Sequence, residues 1–199
     1  MRTRRYCAIA MISLSLLMLS SLPTVVAATY TPPYSVGGNW HWLWCDSYNN
    51  RNTGYVGARG SILGGWASAQ GWVGEAITLT GSKTVSISTQ GIIDVYIENS
   101  PFLFCGSGAD VVITISRMPD ALVVYNTVIW SRWLWGYESR TYSNEAVSGS
   151  GQITLPIGSY IVSVGLITRV IGEFGWVHLP GSPSACARLK VSNIIISIS

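Results

Sequence analysis

From residue 60 onward this chain alternates apolar and polar residues with a period of two, the alternation being carried by β-branched and aromatic side chains. Two is the period of a strand, whose successive side chains point to opposite faces. No stretch after residue 28 sustains an i, i+3, i+4, i+7 apolar pattern for three turns, and none has the capping residues or the Ala, Leu, Glu and Lys content of a stable helix. The chain is therefore committed to sheets.

The alternation predicts strands near Ile62–Gln70, Trp72–Leu79, Lys83–Thr89, Ile92–Glu98, Ala109–Arg117, Ala121–Trp130, Arg132–Tyr137, Gln152–Leu155, Ser159–Val170, Trp176–Leu179 and Leu189–Ile198. Turn chemistry separates them, notably at Gly81-Ser82, Cys105-Gly106-Ser107-Gly108, Met118-Pro119-Asp120, Ser148-Gly149-Ser150-Gly151 and Gly158-Ser159. Many short strands at this spacing imply an all-β, antiparallel β-sandwich, jelly-roll-like in its strand number. Thr29–Gly60 alternates weakly and is rich in Tyr, Asn and Gly, which predicts an irregular Trp-rich N-terminal arm. In the last strand Leu189, Val191 and Asn193 share one face, whereas Ile194, Ile196 and Ile198 share the other. Either a bulge at Asn193 or burial of both faces accounts for that switch.

Arg2, Arg4 and Arg5 precede an uncharged run from Tyr6 to Leu22, followed by Pro23 and the small residues Ala27 and Ala28. This pattern reads as a signal peptide over residues 1–28, cleaved near Thr29, with an uncleaved membrane anchor as the alternative. The organisation expected is a signal over 1–28, an arm and aromatic loop over 29–60 and a sandwich over 61–199, in a protein that is secreted or displayed at the cell surface. The signal takes three of the twelve Lys and Arg and none of the nine Asp and Glu, so the mature chain has no net charge. Its sequence pI of 8.7 thus belongs largely to the leader, and nucleic acid is not an expected partner. Cys7 leaves with the leader, and two of Cys45, Cys105 and Cys186 are expected to form a disulfide in an oxidising compartment.

The most unusual local feature is aromatic. Trp40, Trp42 and Trp44 alternate, and so do Trp133, Trp135 and Tyr137. On a strand each triplet lies on one face, a ladder able to stack on sugar rings, anchor a protein interface or line the interior. Asp46 and Asn49 supply candidate polar contacts beside the first ladder. Trp-Leu-Trp and Gly-Trp recur, but their surroundings do not align as repeats.

Asp94 and Glu98 share a strand face, yet four residues of strand hold their backbones about 13 Å apart, too far for paired catalytic carboxylates. Glu98 with Glu138 is the cross-strand alternative. The segment Asp94-Val95-Tyr96-Ile97-Glu98 resembles, over that stretch alone, the nucleophile-bearing strand of jelly-roll xylanases; it has Asp where that family has Glu, and no catalytic role is transferred. There is no G-x-S-x-G, no C-x-x-C and no H-E-x-x-H, and His41 with Cys45 lies too far apart along a strand to act as a base and thiol. No catalytic residue, metal ligand or cofactor is assigned. The expected function is non-catalytic binding or self-assembly, with self-association or another surface protein as partner. The alternatives are a carbohydrate-binding module or lectin using the Trp platform on a polysaccharide, an outer-membrane β-barrel, and last a glycoside hydrolase.

Overall fold

The computed structural model describes residues 25–41, 45–61, 65–99, 106–172 and 184–199. They form β1 (Val26–Tyr30), β2 (Val36–His41), β3 (Asp46–Asn50), β4 (Tyr55–Ser61), β5 (Gly65–Leu79), β6 (Lys83–Glu98), β7 (Gly106–Arg117), β8 (Leu122–Trp135), β9 (Ser139–Leu155), β10 (Gly158–Gly172) and β11 (Ser184–Ile198). Two antiparallel sheets result. Sheet A runs β3-β4-β11-β6-β9, with β1 also paired to β11, and sheet B runs β2-β5-β10-β7-β8. The pairs β7·β8, β6·β9, β5·β10 and β4·β11 are nested, as when one long hairpin is rolled over itself. That is the jelly-roll arrangement of a β-sandwich.

Alternation explains the core directly. Val85, Ile87, Ile93, Val95 and Ile97 of β6 point inward at odd positions, against Val162, Val164 and Leu166 of β10 and Ile113 and Ile115 of β7. In β11 the register shifts between Val191, which pairs with Gly91, and Asn193, which pairs with Gln90, so Ser192 is an extra residue. Asn193 holds this bulge. Its Oδ1 accepts the Gln90 N–H at 3.1 Å, and its carbonyl accepts the Thr89 hydroxyl at 2.6 Å. Leu189, Val191, Ile194 and Ile196 are consequently all buried in one core, so a bulge and not two-sided burial resolves the switch.

Several expected boundaries shift. The strands predicted over Lys83–Thr89 and Ile92–Glu98 are one strand, as are Ala121–Trp130 with Arg132–Tyr137 up to Trp135, and Ile62–Gln70 with Trp72–Leu79 from Gly65 on. Ser148-Gly149-Ser150-Gly151 is not a turn but the middle of β9. A side chain at Gly149 would overlap Ile129, and one at Gly151 would overlap the Tyr125 hydroxyl, so these glycines admit side chains of β8 instead of bending the chain. The arm is more regular than expected, since β1, which begins before it at Val26, and β2 and β3 add to the two sheets, and β4, which starts inside the 29–60 segment, is the first strand of the roll. Tyr34 caps the link between β1 and β2, buried and donating to the Val191 carbonyl at 3.2 Å.

The putting together of β1 and β11 pairs Ala27 with Ser197 and Ala28 with Ile196, so the expected cleavage point lies within a paired strand. Residues 1–24 and the strand predicted over Trp176–Leu179 lie outside the described residues. Cys45 and Cys186 are not bridged to one another. Asp46 and Cys186 both pair with Arg59, which places β4 between the two thiol-bearing segments, and two strand spacings of about 10 Å exceed disulfide reach. Cys105 lies outside the described residues.

Candidate functional site

The strand register turns the outer face of sheet B into a grid. One row reads Gly38, Trp72, Gly165, Val112 and Val128 from β2 to β8; the next reads Trp40, Gln70, Ile167, Asp110 and Ser131. Beyond them Ser68, Arg169, Gly108 and Trp133 align, then Ile171, Gly106 and Trp135. The inward odd positions of β5 and β7 fill the core, so these even positions must face out.

Large rings stand opposite glycines in this grid, and they lie down on them. A Cβ at Gly108 would stand 2.5 Å from Cδ2 of Trp133, and one at Gly106 would stand 2.7 Å from Cε3 of Trp135. Trp133 and Trp135 therefore lie over β7 as a stacked pair, with ring centroids 6.0 Å apart and planes inclined by 22°. At the far side Trp72 covers Gly38 of β2, where a Cβ would meet Cζ2 at 2.7 Å. A ring laid on bare backbone loses one face to the protein and presents the other outward. Trp40 and Trp135 stay 49% and 62% exposed, which no core role explains. Rings over β2 and rings over β7 are separated by three strand spacings, about 14 Å.

Polar groups occupy the space between. Asp110 is buried on the outward side of β7, where its Oδ1 accepts the Ser131 hydroxyl at 2.6 Å and the Trp133 indole N–H at 3.3 Å. Its Oδ2 lies 3.3 Å from the half-exposed Arg169 guanidinium. One carboxylate thus orients an indole ring and a cation, each of which keeps a solvent-facing side. Gln70 and Arg169 project beside the floor formed by buried Gly165 and Ile167. The arrangement supplies flat apolar surface at two ends and directional hydrogen bonds between.

The sequence-derived candidates divide among several places. Trp40, Trp133 and Trp135 share this face, although Trp40 and the pair come from opposite edges of the sheet. Trp42 and Trp44 lie outside the described residues. Tyr137 is exposed in the turn after β8. Asp46 and Asn49 lie on β3 of sheet A, where Asn49 donates to Asn39 Oδ1 at 3.5 Å and the intervening Ser47 donates its hydroxyl to the Trp40 carbonyl at 3.1 Å. His41 meets the Ser47 hydroxyl at 3.4 Å. Trp72, Asp110, Arg169 and Gln70 were not among the sequence candidates. The Gly-x-Gly of β7 opposite the Trp-x-Trp of β8 marks the seat of the ring pair, and no sequence signal marks those four residues.

Of the carboxylates, Asp94 accepts the Asn144 N–H at 2.9 Å and the Arg188 guanidinium at 3.2 Å on sheet A. Those two contacts, the backbone hydrogen bond first, hold its carboxyl below the usual carboxylate range. Glu98 accepts the Tyr96 hydroxyl at 3.0 Å, and Glu138 pairs with Arg140 at 3.3 Å. No helix among the described residues is long and apolar enough to cross a membrane.

No family model matches the chain, and no curated protein matches it. Solved structures with similar folds include the CBM22-1 and GH10 modules of Clostridium thermocellum endo-1,4-β-D-xylanase 10B complexed with xylohexaose, at 9% identity and a TM-score of 0.32. That match covers 85% of this chain and only 28% of the xylanase chain. The CBM61 module bound to β-1,4-galactotriose matches at 9% identity and a TM-score of 0.31, over 82% of this chain and 88% of the module. A low-affinity xylan-binding module, CBM86 from Roseburia intestinalis, matches at 12% identity and a TM-score of 0.29, over 87% and 96% of the two chains. Likenesses at this level assign neither residue nor ligand to this chain.

Proposed function

We propose that this protein is a non-catalytic carbohydrate-binding module that receives a polysaccharide chain across the outer face of sheet B. The observation that carries this reading is the seating of Trp133, Trp135 and Trp72 on Gly108, Gly106 and Gly38, with Asp110 fixing the polar centre. Pyranose rings have flat apolar faces and equatorial hydroxyls; the former stack on indoles, and the latter meet Gln70 and Arg169. Binding of this kind needs no proton transfer, and Asp110 on the sheet B face is paired with the Arg169 cation. An exported, extracellular location fits such a ligand, with the N-terminal segment as the export signal. Self-association by strand addition would instead use the outer edges of β8 and β9.

The test is a titration of the mature protein with a panel of soluble polysaccharides, followed by tryptophan emission and by migration in polysaccharide-containing native gels. Binding to at least one glycan, with emission shifting and iodide quenching falling, is the expected result. Indifference to every glycan, together with elution as a large assembly, would overturn the reading in favour of self-assembly.

A further inference from the structure

We propose a second carbohydrate site on the opposite outer face, on sheet A, which would make the protein bivalent; the inference rests on the carbohydrate reading of sheet B. Its starting point is Tyr48. The register aligns Tyr48 of β3, Gly57 of β4, Arg188 of β11 and Asp94 of β6 in one outward row. Any side chain at Gly57 would overlap the Tyr48 ring, so this ring too lies flat on bare backbone, and it remains 48% exposed. The device on sheet B is thereby repeated with tyrosine.

The neighbouring groups are held in place. Asp94 draws in the Arg188 guanidinium at 3.2 Å, and that guanidinium also lies 5.4 Å from the Tyr55 ring centre. Fixed in this way, Arg188 offers its remaining N–H groups as a planar donor set beside the Tyr48 ring. Along the same face, six residues of β6 further on, an open cavity of about 400 Å³ is lined by the polar side chains of Ser86, Ser88, Ser150, Gln152 and Ser197 together with apolar surface that includes Ile195. Hydroxyls and an amide both donate and accept, which matches a ligand whose own surface is hydroxyls. Charge identifies the class further: Arg59, Arg188 and Lys190 are offset by Asp46, Asp94 and Glu98 on this face, so it favours a neutral polymer over a polyanion. The Tyr48 row crosses the strands and the cavity lies about 20 Å further along them, a separation that an extended chain segment can span and a chain end cannot.

Two faces on opposite sides of one sandwich can hold two chains at once, which raises avidity and cross-links the polymer. The experiment uses the mature protein, Trp133→Ala/Trp135→Ala, and Tyr48→Ala, each confirmed folded by circular dichroism, with Arg188→Met as a second variant on sheet A. Calorimetry with a panel of neutral hexasaccharides (xylohexaose, mannohexaose and cellohexaose) gives stoichiometry, and turbidity with the corresponding polysaccharides reports cross-linking. The expected result is two sites in the wild type, one in either face variant, and turbidity lost in both, with the residual site of the double Trp variant weakened about tenfold or more when Tyr48→Ala or Arg188→Met is added. One site in the wild type, abolished by Trp133→Ala/Trp135→Ala and untouched by Tyr48→Ala, would overturn the second site and leave sheet B standing. Loss of binding in Tyr48→Ala alone would uphold sheet A and overturn the reading of sheet B. No binding in any form would overturn both.

Discussion

The two outer faces of this sandwich use one device under different conditions. On sheet B indole rings lie on Gly106, Gly108 and Gly38, and the acid between them, Asp110, is buried. On sheet A a phenol lies on Gly57, and the acid at the far end of its row, Asp94, has a side chain 39% exposed. Burial decides what each acid can do. A carboxylate shielded from water holds its partners strongly and makes their loss costly, whereas an exposed ion pair is screened and contributes little. Sheet B is therefore a preorganised surface, and sheet A a softer one.

The sharpest way to break that contrast is to strip the rings. Trp133→Ala/Trp135→Ala is expected to cost 2 kcal/mol or more of glycan binding, about thirtyfold in affinity, because central aromatic anchors carry most of an interface's energy. Its circular dichroism should be unchanged, since both rings lie outside the core. Unchanged affinity by calorimetry would mean that the rings are not the platform.

The acids can be compared next. Asp110→Ala leaves the Trp133 N–H, the Ser131 hydroxyl and Arg169 without their acceptor and is expected to lower stability by about 1–3 kcal/mol in urea unfolding. Asp94→Ala should stay within about 1 kcal/mol of wild type. Equal losses would erase the distinction between the faces.

A smaller effect is expected from Gly108→Ala. Its methyl would meet both the Trp133 ring and, at 2.7 Å, the Arg132 carbonyl oxygen, so iodide quenching should rise and stability fall by about 1 kcal/mol or more. A silent substitution would show that the ring is not seated there.

The smallest effect concerns pH. The Asn144 N–H and Arg188 depress the Asp94 carboxyl, so its contribution is complete above the unfolded value of about 3.9 and is lost as pH falls through the lower folded value. A carboxyl resonance that titrates below the normal range, and an acid limb of stability made slightly shallower by Asp94→Asn, are the expected outcomes. Titration at the ordinary value would remove Asp94 as the anchor of Arg188.

Which parts of this were legible follows from what each signal depends on. Alternation is a local property, so the all-β class and the core faces of β6, β7 and β10 could be read directly. The switch at Asn193 narrowed β11 to two alternatives, of which the hydrogen bonds to Gln90 and Thr89 select the bulge. Glycine misled the reading in β7 and β9. Gly106, Gly108, Gly149 and Gly151 resemble turn residues in the chain, yet each lies within a strand where a neighbour's side chain needs the room.

The site shows the same division. The Trp-x-Trp of β8 stood out because two large rings two residues apart share a face wherever the strand lies. Trp72 and Asp110 did not, since a lone Trp and a lone Asp acquire meaning only from the residues of other strands beside them. Sequence by itself determined that this chain folds as sheets and which side of most strands is apolar, because side-chain period and turn chemistry act within a few residues. Only the tertiary structure decided which glycines carry rings, which acid is buried among them, and that two such faces lie back to back, because register brings together residues distant in the chain.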